Sequence, residues 1–363
     1  MTFNQLNVIT GMRKRNHKCR NCGSCRAVKK GSQNGCKRFL CKDCKRSFSV
    51  DHRKKKPSFW IPFVDGIPLR KLADEHGLSP ARVYQKVKTE MDALPEANWL
   101  TVNHCNRFSG ILIVDGKYVK VNGYQQKIPF IYGIDYLTHD IVAHLLAPSE
   151  NEEAFLKFFR LLKTANYPLQ IVVADDRSSL IPALKHYYPK ALLQLCQNHY
   201  LENIRQTLHI RTDATHQRFF TLLQKRVFAP DIPLDARNLR LHELFMRTAK
   251  KDPVRQAIIV DLYQRRRELF AYLRVPHCPK DTNLIELFNS HLQARLKSLK
   301  GFKSFRGAER FLNAYVIRRR TKPFTDCQGK FKQLNGKSSL QMTIKKQTNW
   351  SEILALKALK SKR

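Results

Sequence analysis

Residues 171–176 read IVVADD, and residues 111–115 read ILIVD; both are four consecutive apolar residues ending in an acid. Runs without polar alternation, short and rich in Val and Ile, are strands buried on both faces, as in the parallel part of an α/β sheet. Each acid then stands where its strand leaves the core. If the two strands lie side by side and parallel, Asp115 and Asp175 emerge at one mouth of the sheet. Converging carboxylates repel one another unless cations lie between them. Hard divalent ions such as Mg²⁺ (or Mn²⁺) suit oxygen ligands of this kind, and a pair of them can activate an attacking oxygen and stabilise a leaving one. Asp176 lies one residue further, so the strand period of two turns it away; it reads as a local cap or an exposed carboxylate.

The surrounding pattern extends this reading. ILIVDGKYVKV is a strand, and IPFIYGIDYLTHDIVAHLLA is two strands around a polar Thr-His-Asp turn. SENEEAFLKFFRLLKTA is a helix opening on a capping box, Ser149 with Glu152. LQIVVAD is a strand, SSLIPALKHYY a helix and ALLQLCQ a further short strand. Three strands, helix, strand, helix, strand predicts an α/β mixed sheet in the order of a ribonuclease-H-like core, occupying residues 101–325. Between about 205 and 275 the strand pattern stops, and amphipathic helices carry the run Arg265, Arg266, Arg267, which predicts an all-helical insertion. Asp135 in its strand and Asp140 in the turn region read as structural.

Charge bounds the partners. The 363 residues carry 67 Lys and Arg against 29 Asp and Glu, a net charge of +38. Such self-repulsion points to a polyanion partner, with nucleic acid first and an anionic membrane surface second. No apolar run approaches the roughly 20 residues of a spanning helix, and MTFNQLNVITGMRKR lacks the apolar core of a secretory signal. The expectation is a soluble intracellular protein. Its ten cysteines are then thiols or metal ligands rather than disulfides.

Residues 1–52 and 53–100 predict two small DNA-reading modules. Cys19 and Cys22 form one Cys-x-x-Cys and Cys41 and Cys44 another, which together supply four sulfurs for tetrahedral Zn²⁺ in a zinc ribbon. Cys25 and Cys36 could exchange roles with them. After a basic linker, Leu69–His76 reads as a helix and Gly77 as a turn, with Ser79 the N-cap and Pro80 the first residue of a second helix. Leu72, Leu78, Val83 and Val87 can pack the pair together, leaving Arg82, Gln85 and Lys86 outward: a helix-turn-helix whose second helix enters the major groove. Residues 326–363 read as a basic, partly ordered tail.

VDGKYV, VVADD, Cys196-x-x-His199 and TNLIELFNSHLQARLKSLKGFKSF, in this order, resemble the Mutator-like DDE transposases, specifically bacterial insertion-sequence members with an N-terminal zinc ribbon and helix-turn-helix. The resemblance spans essentially residues 16–320. It implies that Asp115 and Asp175 are the first two catalytic carboxylates and Glu286 the third, holding Mg²⁺. From the residues alone, Glu286 is equally an acid compensating a helix N-terminus. Asn289 shares its face and could assist a metal or DNA contact. The family's usual Asp-Gly is Asp175–Asp176 here. Its Cys-x-x-His makes His199 an active-site or DNA-contact residue, with Cys196 as packing, and the helical insertion grips DNA. The function implied is metal-dependent cleavage and strand transfer of double-stranded DNA at element ends, by a homodimer or larger assembly. The rivals are a catalytically silent, transposase-derived DNA-binding regulator and a hydrolytic nuclease of the same fold.

Overall fold

The computed structural model describes residues 18–19, 21–33, 36–51, 58–230, 232–249 and 252–345. The extreme N-terminus, the basic linker 52–57 and the tail beyond 345 lie outside them.

Residues up to 58 form one unit. Strands β1 (Ala27–Gln33), β2 (Cys36–Cys41) and β3 (Ser47–Asp51) make an antiparallel sheet in that order. One tight turn precedes it and another joins β2 to β3. The Gly23 N–H donates to the Cys19 carbonyl at 2.9 Å, with Gly23 at φ +72°, and the Cys41 N–H donates to the Arg46 carbonyl at 3.0 Å.

The second unit runs from residue 59. Helices α1 (Trp60–Asp65), α2 (Leu69–His76), α3 (Pro80–Asp92) and α4 (Ala97–His104) come first. Gly77 ends α2 in the left-handed region, and the Ser79 hydroxyl accepts the Arg82 N–H at 3.3 Å, so the sequence-level turn and cap both form. Leu72, Val83 and Val87 are buried, whereas Arg82, Gln85 and Lys86 stay outward. This pair is not a free-standing module, because its core is continuous with Phe311, Leu312 and Tyr315 of a later helix.

The sheet follows: β4 (Ile111–Val119), β5 (Ile128–Asp135), β6 (Asp140–Leu146), then α5 (Glu152–Thr164), β7 (Ile171–Ala174), α6 (Leu180–Tyr187) and β8 (Leu192–Leu195). Its order is β6-β5-β4-β7-β8, with β4–β7 and β7–β8 parallel and β4–β5–β6 antiparallel. Alternation divides the strand side chains between two cores. Leu112, Val114, Val172 and Ala174 pack on α5 and α6, while Ile113 and Val173 face the opposite layer. The cap of α5 is Asn151, whose side chain accepts the Ala154 N–H at 3.0 Å, instead of the predicted Ser149–Glu152 box; the helix starts later than the sequence suggested.

Helices α7 (Gln197–Thr207), α8 (Gln217–Arg226), α9 (Leu234–Leu244) and α10 (Pro253–Leu269) form a helical body around their own core of Tyr200, Phe220, Leu223 and Leu262. The chain then returns as α11 (Asn283–Leu299) and α12 (Phe305–Thr321) against the sheet. The last described helix, α13 (Ser339–Thr343), is docked, unlike the partly ordered tail expected from composition. Its Ser339 hydroxyl donates to Asp140 at 2.9 Å, and Asp140 is paired with Arg320 at 2.8 Å, both fully buried. A desolvated ion pair needs its remaining lone pairs filled, and α13 supplies those donors. Asp135 is equally structural: buried, it accepts from Ser109, Thr138 and Tyr167 hydroxyls at 2.7–2.9 Å. Among the described residues no helix is long and apolar enough to cross a membrane.

Candidate active site

Parallel pairing aligns Ile111 with Ile171, Leu112 with Val172 and Ile113 with Val173. Continuing that register brings Asp115 level with Asp175. Both follow Ile113 and Val173 by two residues, so both project from the face that meets α11. Helix α11 supplies two further groups. Asn289 donates to Asp115 Oδ2 at 2.6 Å and accepts the buried Tyr132 hydroxyl at 2.9 Å. Glu286, in the first turn, accepts the Thr282 hydroxyl at 3.0 Å. The Gly116 N–H donates to the other Asp115 oxygen at 2.7 Å.

His199, in the first turn of α7, ties the second acid to the third. Its Nδ1 lies 2.8 Å from Asp175 Oδ1 and 3.8 Å from Glu286 Oε1. Close as His199 is, Asp175 Oδ1 is buried without a hydrogen-bond partner among the described residues. Burial first, and then the Asp175 charge, push the Asp115 carboxyl up from 3.8 to about 6. Burial also raises Asp175, with Glu286 and Glu150 adding to the repulsion while His199 and Arg177 oppose it.

A group the sequence reading missed closes the rim. The Tyr118 hydroxyl donates to Glu150, and Glu150 pairs with Arg177 at 3.4 Å. Burial disfavours the Arg177 charge, but Glu150, Tyr118, Asp115 and Asp175 outweigh it and hold the guanidinium charged. The signal was an arginine directly after two acids; Glu150 was hidden inside an apparent helix cap.

Asp176 does turn away, but it is no cap: it pairs with Arg265, which also holds Asp261 at 3.0 Å. Arg265 is therefore used internally, clasping the helical body to the sheet. Arg266 stacks over the Tyr263 ring at 3.9 Å, and Arg267 is exposed. Lys86 lies over the Phe59 ring at 5.4 Å.

Asp115, Asp175 and Glu286 are oxygen donors of the kind a hard divalent ion takes; the Asp175 charge acts on Asp115 and the Glu286 charge on Asp175. Their ligand atoms are not all within 4.8 Å of one another, whereas those of Asp175, Cys196 and His199 are. Burial, however, pushes the Cys196 thiol up, outweighing the Thr282 hydroxyl beside it, which acts in the opposite direction, so it packs as a neutral thiol. In the N-terminal unit, Cys19, Cys22, Cys41 and Cys44 converge within the same distance, 4.8 Å. The Arg46 N–H and the Asn21 amide hold the Cys44 thiol down to about 6, favouring the thiolate a metal takes. Cys25 and Cys36 are not in that group.

A carboxylate cluster on a mixed sheet, with helices on both faces, is the frame on which the chain's relatives can be compared. The chain belongs to the Mutator family of transposases: the family described as "Transposase, Mutator family" matches residues 76–323, well over half of it. It is 25% identical over 185 residues to the "Transposase for insertion sequence element IS256 in transposon Tn4001" of Staphylococcus aureus, covering 49% of this chain and 45% of the relative. The protein of the same description from Enterococcus faecalis (strain ATCC 700802 / V583) gives the same figures, 25% over 185 residues with 49% and 45% covered. The chain thus spans about half the length of the curated relatives it matches. Among solved structures, a Drosophila P element transposase strand transfer complex aligns with a TM-score of 0.45 and 12% identity, over 77% of this chain and 95% of that one.

Proposed function

We propose that this chain is a DNA transposase that cleaves double-stranded DNA at element ends and transfers the cut strand, with Asp115, Asp175 and Glu286 as its catalytic carboxylates. The observation that carries the reading is the alignment of Asp115 with Asp175 on adjacent parallel strands, with Asn289 and His199 tying both to the helix of Glu286. The strand order supports a ribonuclease-H-like core.

When bound by these acids, Mg²⁺ or Mn²⁺ supplies charge neutralisation at the phosphate and an activated oxygen nucleophile. The chain's own residues do the positioning. Asn289 and the Gly116 N–H fix both oxygens of Asp115. His199 stands between Asp175 and Glu286, where it can hold them in register or contact the DNA. Arg177, braced by Glu150, offers a positive charge at the rim for a phosphate. The N-terminal cysteines would hold Zn²⁺ and so make folding of that small unit depend on metal. Arg82, Gln85 and Lys86, exposed on α3, would read a major groove. Arg266 and Arg267 remain available to DNA phosphates, and Arg265 only if its clasp opens. Joining two ends calls for at least a homodimer on DNA, working in the cytoplasm at the nucleoid.

The test incubates the protein with the DNA flanking its gene and Mg²⁺ or Mn²⁺. Cutting and joining at defined ends, lost in Asp175→Asn and Glu286→Gln but kept in Asp176→Asn, is the expected result. Tight end binding without cleavage by the unmodified protein indicates the silent regulator, and cutting without joining the nuclease.

A further inference from the structure

A groove of about 950 Å³ runs between α3 and the corner where α11 turns into α12. Its floor is apolar: Phe63 and Phe311 meet edge to face at 6.0 Å, beside Met91 and Phe302. Its rim is basic, with Arg70 and Lys88 on one side and Lys303 and Arg306 on the other. No carboxylate is among its lining residues. Arg295 and Arg310 also line it but are already engaged, Arg295 by the Phe63 and Val64 carbonyls and Arg310 by Asp92. Tyr84 of α3 overhangs the rim, 46% exposed.

The corner is rigid and tied to the catalytic strand. Phe302 donates its N–H to the Lys120 carbonyl at 2.9 Å and accepts the Asn122 N–H at 2.8 Å. Gly301 sits at φ +116°, where an added Cβ would press on Lys120 at 3.3 Å. Lys120 directly follows β4, which carries Asp115, and the helix lining the groove at one end carries Glu286 at the other, roughly 20 Å away at 1.5 Å per residue.

We propose that this groove seats a single-stranded stretch of DNA, its bases against the half-buried Phe63 and the exposed Tyr84, its phosphates on the Arg and Lys rim. Charge selects a polyanion, and the floor selects among polyanions. A duplex hides its base faces and would leave the floor unmatched, whereas an unpaired strand presents a π-face at every nucleotide. The inference rests on the reading of the chain as a DNA-handling protein, and it adds a second DNA site beside the outward face of α3.

The experiment measures fluorescence anisotropy of the full-length protein with labelled oligothymidine and with a blunt random-sequence duplex, using a poly-glutamate peptide as competitor. Loss of one stacking contact in Tyr84→Ala is expected to weaken oligothymidine binding at least about fivefold while leaving duplex binding within about twofold, and Tyr84→Phe is expected to retain it. Lys303→Ala with Arg306→Ala is expected to lower the salt dependence of oligothymidine binding. Equal losses for both DNAs, displacement of oligothymidine by poly-glutamate at equal charge, or duplex binding with no oligothymidine binding each overturn the groove proposal alone. Failure to bind either DNA removes the DNA-handling reading with it.

Discussion

Replacing Asp115 by Asn is expected to stabilise the metal-free protein. The Asp115 carboxyl is raised from 3.8 to about 6 by burial and by Asp175. At about 1.4 kcal/mol per unit, keeping it ionised at neutral pH costs about 3 kcal/mol. Asn removes the charge but accepts at only one oxygen, so one of the bonds from Asn289 and Gly116 is lost, at about 1–2 kcal/mol. The net gain is about 1–2 kcal/mol, or a few degrees in melting temperature for a unit of this size. The sign follows from the direction of the shift. Wild-type stability is intact below 3.8, where Asp115 is protonated in both states, and falls as pH rises to about 6. The variant's advantage is therefore absent at low pH and complete above about 6. Manganese reverses the order, because a ligand at 100 times its dissociation constant adds about 2.7 kcal/mol to a protein that binds it. The assay is calorimetry with EDTA, then with Mn²⁺, across that pH range. A destabilised variant in EDTA at neutral pH, or equal stabilisation of both proteins by Mn²⁺, would refute the reasoning.

Further outcomes follow from other contacts. Asp176→Asn removes a half-exposed pair with Arg265, so it should lower stability by less than about 1 kcal/mol while increasing hydrogen exchange in α7 and α10. Asp140→Asn strands Arg320 in the core and should cost about 3–5 kcal/mol by urea unfolding, more than any other charge neutralisation here. Metal analysis of the purified protein should find Zn²⁺, and Cys41→Ser should abolish it and unfold residues up to 58, seen as collapse of their amide dispersion in NMR. Glu150→Gln loosens Arg177, and strand cleavage should fall while the calorimetric response to Mn²⁺ persists.

Much of this site was legible because strand periodicity is stiff. Two runs of four apolar residues fixed where Asp115 and Asp175 leave the core, and the period of two separated Asp175 from Asp176. The destination of Asp176 was not legible, since Arg265 comes from a helix far along the chain. Glu286 was ambiguous for a related reason: a first-turn acid satisfies a helix N-terminus with or without a partner, and only the packing of α11 on β4 brings Asn289 to Asp115. The short-range signals at Gly77 and Ser79 translated directly, because a cap and a left-handed turn need only their neighbours. The docking of α13 was hidden because its hydroxyls answer a buried pair formed by Asp140 and Arg320, which no local pattern announces.

The central claim is that Asp115, Asp175 and Glu286 together hold the catalytic metal. Its most direct test is anomalous diffraction at the manganese edge from crystals of the protein grown with end DNA and Mn²⁺. Peaks coordinated by Asp115, Asp175 and Glu286 are the predicted result. A metal held by Asp175, Cys196 and His199, with Asp115 left unligated, would contradict the account.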